Sequence, residues 1–331
     1  MLKKSLKRIL ISSGAMRLAS RVAGSGAAII MYHSVEDDPS ARNLDALGGI
    51  IHSTDVFRGQ METIARHFSP VTLDRILNFV KEGKDLPPRP VVVTFDDGYR
   101  DNYHVAKPIL DQVGIPAVFY VAVASIDQGS LPWPSQLRHM FLTSKAKGWR
   151  EPAGQTWPLE TRERRLAAFE QASQHCARLS GSAQKAFLDQ MQGDVDAVPL
   201  NGNASMMTWD EIRGLERGGH TVGSHTMTHP NMAHITPQEA SVELADSKHR
   251  LEQELGKPVP HFSYPCPALQ PHWSSETVEL SRELGYLTGV TTLGGLVRKG
   301  DNALHLRRIR PTKTVDGLRW NLECAFAGKV V

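Results

Sequence analysis

"PVVVTFDDGY", residues 90–99, is an apolar run that ends on two adjacent carboxylates and a glycine. Three consecutive valines before Thr94 and Phe95 read as a strand covered on both faces, as in a parallel sheet. Asp96 and Asp97 then fall at its carboxyl end, and Gly98 lets the backbone turn. Like charges side by side repel and are costly to desolvate, so the pair needs a counter-charge or a reason to titrate. A single acidic turn at a strand exit is the commoner meaning of such a triplet. The rest of the chain decides between the two.

Outward from this strand, the pattern alternates. Upstream, "AAIIMYHSV" (27–35) reads as a buried strand ending in polar residues. Phe57, Met61, Ile64 and Phe68 recur at helical spacing, and Thr72 opens a second helix closed by Gly83. Downstream, a helix through Val105 and Ile109 leads to Gly114 and the strand "IPAVFYVAVA". Residues from about 126 to 205 break the rhythm; they read as a largely helical insertion without a buried strand. "TWDE" (208–211) and "TPQE" (236–239) are capping boxes that start further helices. "HTVGSH", "HFSYP", a helix near 274–284, "YLTGVTT" and "LHLRRI" complete the order. Strands alternating with helices imply an α/β fold, open sheet or barrel.

The counter-charge candidate is "SHTMTHP" (224–230), where His225 and His229 stand four apart. That separation lets two imidazoles reach one metal from a helix or a curled loop. Gly223 and Pro230 favour a loop just past the strand "HTVGS". Loops after parallel strands gather on one face of the sheet, so Asp96, Asp97, His225 and His229 meet at one rim. An Asp–His–His set with open positions suits a catalytic zinc-type site, which brings the pKa of a bound water down to roughly 7. Asp97 then serves as ligand and Asp96 as the base that takes the water's proton.

"TFDDGY" followed by "SHTMTHP" resembles the polysaccharide deacetylases, the NodB-homology or carbohydrate esterase family 4 enzymes. The resemblance covers most of residues 27–312, apart from the insertion. It implies an irregular (β/α) barrel and a divalent metal, zinc first, with cobalt or nickel as alternatives. It implies removal of acetyl groups from N- or O-acetylated glycans, with Asp96 as base and Asp97, His225 and His229 as ligands. "FSYPCP" (262–267) is the counterpart of the family's third motif, and it departs from it. Ser263 stands where many members have the arginine that orients the base, Cys266 replaces an aromatic residue and Pro267 a glycine. Tyr264 and Pro265 fit, which leaves the backbone N–H of Cys266 to face the oxyanion. "MYHSV" (31–35) resembles the N-terminal tyrosine–histidine of the branch that includes poly-N-acetylglucosamine deacetylases. By that likeness His33 is preferred as general acid over His305 of the partial motif "ALHL".

Tyr99, Trp133 and Trp273 are candidates to stack on sugar rings, against ordinary rim packing. Arg307 and Arg308 are candidates to place the base or bind an anionic glycan; strand alternation turns one of them inward. Tyr264, Pro265, Tyr99 and Arg308 complete the expected substrate contacts. His220, His234 and His261 read as structural.

The totals of the chain set bounds on this reading. At 331 residues with a net charge of +3, it has no basic-aromatic stripe that points to nucleic acid. Cys176, Cys266 and Cys324 form neither a disulfide framework nor a thiolate cluster. Residues 1–26 are basic, with Leu2, Leu6, Ile9 and Leu10 at helical spacing. They read as an amphipathic segment for peripheral contact with anionic lipid, or else a solvated or self-packed terminal helix. Ser12, Ser13, Gly14, Arg17 and Arg21 interrupt any export-signal core, so a cytoplasmic place, at most peripheral to the inner membrane, is expected. Residues 27–331 form the expected catalytic domain. The expected function is a metal-dependent deacetylase acting on an N-acetylated polysaccharide or its oligosaccharide or lipid-linked precursor. A small-molecule amidase of the same fold and a catalytically impaired glycan binder are the alternatives, and oligomeric state is left open.

Overall fold

A computed structural model describes residues 26–37, 50–199 and 205–329. Nearly all of the N-terminal basic segment expected to touch lipid lies outside the described residues. Seven parallel strands form one curled sheet; six run in the order β1 (Ala28–Tyr32), β2 (Pro90–Phe95), β3 (Ala117–Val121), β4 (Thr221–Ser224), β5 (His261–Ser263) and β6 (Thr288–Val290), and the two-residue strand Ser69–Pro70 pairs with β2 beside that path. "LHLRRI" is not a ladder strand of this sheet. It bridges the two edges instead, through single parallel pairings Val290↔Leu306 and Ile30↔Ile309. Thr291 N–H donates to Leu306 O and Ile309 N–H to Ile29 O, so residues 306–309 close the curl into an irregular (β/α) barrel.

Alternation along the strands sorts the side chains onto two faces. Ile30, Tyr32, Val93, Phe95, Phe119 and Val121 face outward. They pack on α1 (Thr54–His67), α3 (Lys107–Val113), α8 (Trp209–Arg217) and α9 (Pro237–Leu255). Ile29, Val92, Val118, Tyr120, Val290 and Leu306 face the other way, with Ile76 and Val80 of α2 (Leu73–Glu82). Continuing that second parity past the apolar layer gives Thr94, Asp96 and Arg308, which places polar chemistry above an apolar floor. Both capping boxes form as the sequence indicates, at Thr208/Glu211 and Thr236/Glu239.

Between β3 and β4 the chain builds α4 (Val123–Gln128), α5 (Trp133–Thr143), α6 (Arg162–Cys176) and α7 (Gly181–Asp194). The last three share an apolar cluster of their own, with Leu137, Phe141, Ala172, Leu188 and Met191, while Val123 and Ile126 of α4 join the main core. They also carry a feature the periodicity did not show: an antiparallel ribbon, Gly148–Arg150 with Thr156–Pro158, that buries Trp149. Its strands are too short for alternation to register. After the insertion the chain returns beside the acidic turn, where Met207 N–H donates to Gly98 O. No described helix is long and apolar enough to cross a membrane.

Two local constraints fix the strand exits. Gly223 has no room for a side chain: a Cβ there would lie 2.6 Å from the Tyr120 ring and 2.9 Å from His261 O. At the other exit, Asp101 accepts from Ser34 Oγ (2.7 Å) and Val35 N–H (3.0 Å). Its neighbour Asn102 donates through Nδ2 to His33 O at 2.7 Å. The end of β1 is thereby tied to the turn after β2, through a single π-helical turn at Asn102–Ala106. Burial raises the Asp101 carboxyl to about 6, against the hydrogen bonds that favour its charge.

Each constraint generates a test. Gly223→Ala should destabilise the protein by about 1–3 kcal/mol or more, because backbone stands in the way and cannot yield cheaply; urea titration measures it. For Asp101, the folded state keeps its proton up to about pH 6 while the unfolded chain releases it near 3.8. The unfolded state therefore binds fewer protons across that window, and stability falls as pH rises through it, by on the order of 3 kcal/mol. Melting wild type and Asp101→Asn between pH 4.5 and 7.5 should show the variant gaining on the wild type as pH rises. A constant gap would exclude this titration.

Candidate metal centre

Asp96 and Asp97 leave β2 in different directions because Asp97 takes a positive φ of 78°, followed by Gly98 at 90°. Asp96 turns inward to Arg308. The guanidinium donates from Nη1 to Asp96 Oδ1 at 2.8 Å and from Nη2 to Oδ2 at 2.7 Å. Nε donates to Thr291 O (2.8 Å), and Nη2 also reaches Ser263 Oγ at 3.0 Å. Arg308 is 1% exposed and Asp96 2%. Burial alone would raise the Asp96 pKa, but Arg308, then His225, outweigh it and hold the group below its ordinary value.

Asp97 turns to the histidines. Its Oδ1 lies 3.4 Å from His225 Nε2 and 3.3 Å from His229 Nε2. Neither approach has the alignment of a hydrogen bond, which leaves Oδ1 without a hydrogen-bond partner. Burial would push this carboxyl up; the two imidazoles hold it well below the usual range. His225 Nδ1 is 2.8 Å from Ser263 O. A proton on Nδ1 donates to that carbonyl and leaves the Nε2 lone pair facing Asp97, as a metal ligand requires. Ligand atoms from all three residues lie within 4.8 Å of one another, all buried. An unpartnered carboxylate oxygen and two imidazole nitrogens converging on one point fit a divalent cation.

The loop that carries the histidines is strained and firmly held. Thr226 (φ 65°) and His229 (φ 60°) both sit in the left-handed region, which costs of order 1–3 kcal/mol each for non-glycine residues. Glu243 of α9 accepts from Met227 N–H (2.9 Å), Thr228 N–H (2.7 Å) and Thr228 Oγ1. Thr226 Oγ1 accepts from His229 N–H at 3.1 Å, and Trp133 Nε1 donates to His229 O at 2.8 Å. Asn231 Nδ2 ties the following residues to Ala268 O and Leu269 O. Sequence reading missed Glu243. The available signal was its position four residues after Glu239 of the capping box, on the same helix face.

A cavity of about 510 Å³ opens over this centre, with Asp96, Asp97, His225 and His229 in its wall. His33, Tyr99 and Cys266 line it too. Tyr99 is 2% exposed, and its hydroxyl lies 3.3 Å from Ser135 Oγ. Burial lowers the His33 pKa, countered by Asp97 and then Asp96. Cys266 Sγ lies 3.2 Å from the ring nitrogens of His272.

Other expected contacts are placed elsewhere. Tyr264 is buried against Phe262 and Tyr286, with its hydroxyl donating to Leu304 O, and is a core residue rather than a sugar contact. Pro265 does not line the cavity either. Arg308, expected to touch substrate, lies behind Asp96 and holds it; its fork stands where Ser263 left the family arginine missing. Trp133 is buried and spends its N–H on His229, not on a sugar face. His305 packs edge-on to Trp273, outside the cavity. His220 and His261 are satisfied by Asp111 and Ala117 N–H, and by Thr288 and Asp74, as structural residues.

Comparison with known proteins agrees with this arrangement. A polysaccharide deacetylase family profile matches residues 83–289. YxkH of Bacillus subtilis strain 168, a protein named for that family, is 20% identical over 290 residues, 87% of this chain and 72% of its own length. The poly-β-1,6-N-acetyl-D-glucosamine N-deacetylase of Escherichia coli K12 is 32% identical over 96 residues, 29% of this chain and 14% of that protein. The solved Streptococcus pyogenes deacetylase PplD, in complex with acetate, has the same fold. Its TM-score is 0.61 at 18% identity, with 89% of this chain and 97% of that one covered. With the profile spanning well over half of the sequence and the acidic and histidine motifs both inside it, the chain belongs to the polysaccharide deacetylase family and is a hydrolase of that kind.

Proposed function

We propose that the protein is a metal-dependent deacetylase that hydrolyses N-acetyl groups of a polysaccharide or of its oligosaccharide or lipid-linked precursor. The observation that carries this reading is the separation of the two adjacent carboxylates, Asp96 clamped by Arg308 and Asp97 facing two histidines. Asp97, His225 and His229 would hold the cation, zinc first, with cobalt or nickel as alternatives. The chemistry supplied by such a cation is Lewis acidity, which polarises the acetyl carbonyl and lowers the pKa of water.

The chain's own residues do the rest. Asp96, kept ionised and oriented by the Arg308 fork, takes a proton from the attacking water. The Cys266 backbone N–H, at the cavity wall, is assigned to the developing oxyanion. His33 is assigned to protonate the leaving amine; it lines the cavity, and His305 does not. Burial favours the neutral ring, so the proton His33 gives the amine would be the one Asp96 takes from the attacking water, relayed through the imidazole. A non-catalytic glycan binder was suggested by Ser263 in the arginine position. Arg308 speaks against it, since the base receives an arginine from the closing segment 306–309 instead. The N-acetyl preference is supported by the likeness of 96 residues to the Escherichia coli enzyme.

The test is acetate release from chito-oligomers, poly-N-acetylglucosamine fragments and acetylated xylan, with zinc or cobalt supplied. Asp96→Asn should lower the rate by about 10²–10⁴-fold with bound metal unchanged by elemental analysis. His229→Ala should lose metal and activity together. Activity in Asp96→Asn within a few-fold of wild type would exclude the assignment of the base. Arg308→Met should lower stability by about 3–5 kcal/mol, because it leaves a buried carboxylate without its partner. It should also move the acid limb of the pH–rate profile upward, since the lost guanidinium was what lowered the Asp96 pKa. An unmoved limb would separate Arg308 from the base.

A further inference from the structure

The cavity wall carries charge beyond what the metal centre uses. Among its described residues the carboxylates are Asp96 and Asp97, and both are already matched, one by Arg308 and one by the histidine pair. Arg310 and Lys313 line the same cavity and are exposed. They follow from the closing segment: Arg308 and Arg310 share the parity of an extended chain, so the first turns to the base and the second to the opening above it. Lys313 Nζ donates to Ile51 O, which fixes the ammonium at the rim. Beside it is His52, 4% exposed and packed edge-on to Tyr32. Burial, then Lys313, pulls His52 down to about 4, so it lines the cavity as a neutral ring and adds no charge there.

Arg310 and Lys313 are hydrated where they stand, and an anion entering the cavity meets, among the described residues, no carboxylate paired to either of them. The complement of Arg310 and Lys313 is an oxyanion. We propose that the substrate is an acetylated glycan bearing an anionic group, a phosphate ester or a carboxylate, next to the acetylated sugar, and that Arg310 and Lys313 select it. This rests on the deacetylase reading for the acetyl group; the charge preference itself rests on the cavity wall alone.

The experiment uses two matched probe pairs with the full-length, metal-loaded protein. N-acetylglucosamine is compared with N-acetylglucosamine 1-phosphate, and N,N′-diacetylchitobiose with a hyaluronan disaccharide that carries a carboxylate. Binding is read by calorimetry at 50 and 500 mM NaCl, and acetate release is read separately. In at least one pair the anionic probe should bind about tenfold or more tighter at low salt, and the responding pair tells phosphate from carboxylate. The preference should shrink at high salt. It should vanish in Arg310→Gln/Lys313→Gln, with binding of the neutral probe within about twofold of wild type. Equal binding of charged and neutral probes by the wild type would overturn the proposal. So would a preference that survives in the double variant, which would place the anion on Arg138, which also lines the cavity, or on the metal instead. A variant-sensitive preference without acetate release would uphold the anion subsite and count only against the deacetylase reading.

Discussion

The contact between Arg308 and Asp96 is the constraint on which the rest of the site depends. A carboxylate 2% exposed is tolerable in a protein interior only with a partner that satisfies both oxygens. The bidentate fork does so, and the remaining guanidinium donors are absorbed by Thr291 O and Ser263 Oγ. The arginine comes from the same four residues that bridge β6 to β1. Closure of the barrel and neutralisation of the base are therefore one event. If the closing segment separates from either edge, Asp96 loses its counter-charge.

The histidine side of the centre is built on a different economy. Asp97, Thr226 and His229 all occupy backbone conformations that non-glycine residues avoid, and Thr226 is β-branched. Such strain persists only where surrounding bonds outweigh it. Here Glu243 gathers two amide protons and a hydroxyl, Trp133 fixes the His229 carbonyl, and Ser224 Oγ accepts from Thr226 N–H at 3.1 Å. Two of these anchors come from elements far along the chain, α5 of the insertion and α9. The insertion is thus coupled to the histidine loop at several points: Trp133 Nε1 donates to His229 O, Gly181 N–H to Thr228 Oγ1 and Ala124 N–H to Met227 O.

What the sequence made legible was whatever depends on short-range pattern. The strand "PVVVTF", the capping boxes and the four-residue spacing of His225 and His229 each follow from local periodicity or local hydrogen bonding. Parallel topology then brings the acidic and imidazole pairs to one rim without further information. Arg308 was read as a candidate for either base or glycan, because alternation cannot say which of two adjacent arginines faces in when the segment is bridged and not laddered. Tyr264 was misplaced for a related reason. A tyrosine in a motif turn reads as site-facing, but its hydroxyl finds a carbonyl acceptor in the core and its ring joins Phe262 and Tyr286. Glu243 had only a weak signal, its place one turn after Glu239, since a glutamate on a long helix ordinarily faces solvent.

The two neighbouring carboxylates of "FDDG" look like a mutual penalty in the sequence and become a division of roles in space. Consecutive residues of an extended strand point to opposite sides, and the left-handed turn at Asp97 redirects the second side chain toward the histidine loop. Gly98 is needed to continue from there: at φ 90°, a Cβ would lie 3.0 Å from Val121 Cγ1 and strain the turn further. Each carboxylate consequently meets its own partner, a fixed guanidinium on one side and two imidazole nitrogens on the other. The fixed partner keeps Asp96 as a stable charge, while the imidazole pair leaves one oxygen of Asp97 unpartnered. That asymmetry is what allows one acid to remain a base and its neighbour to serve as a ligand.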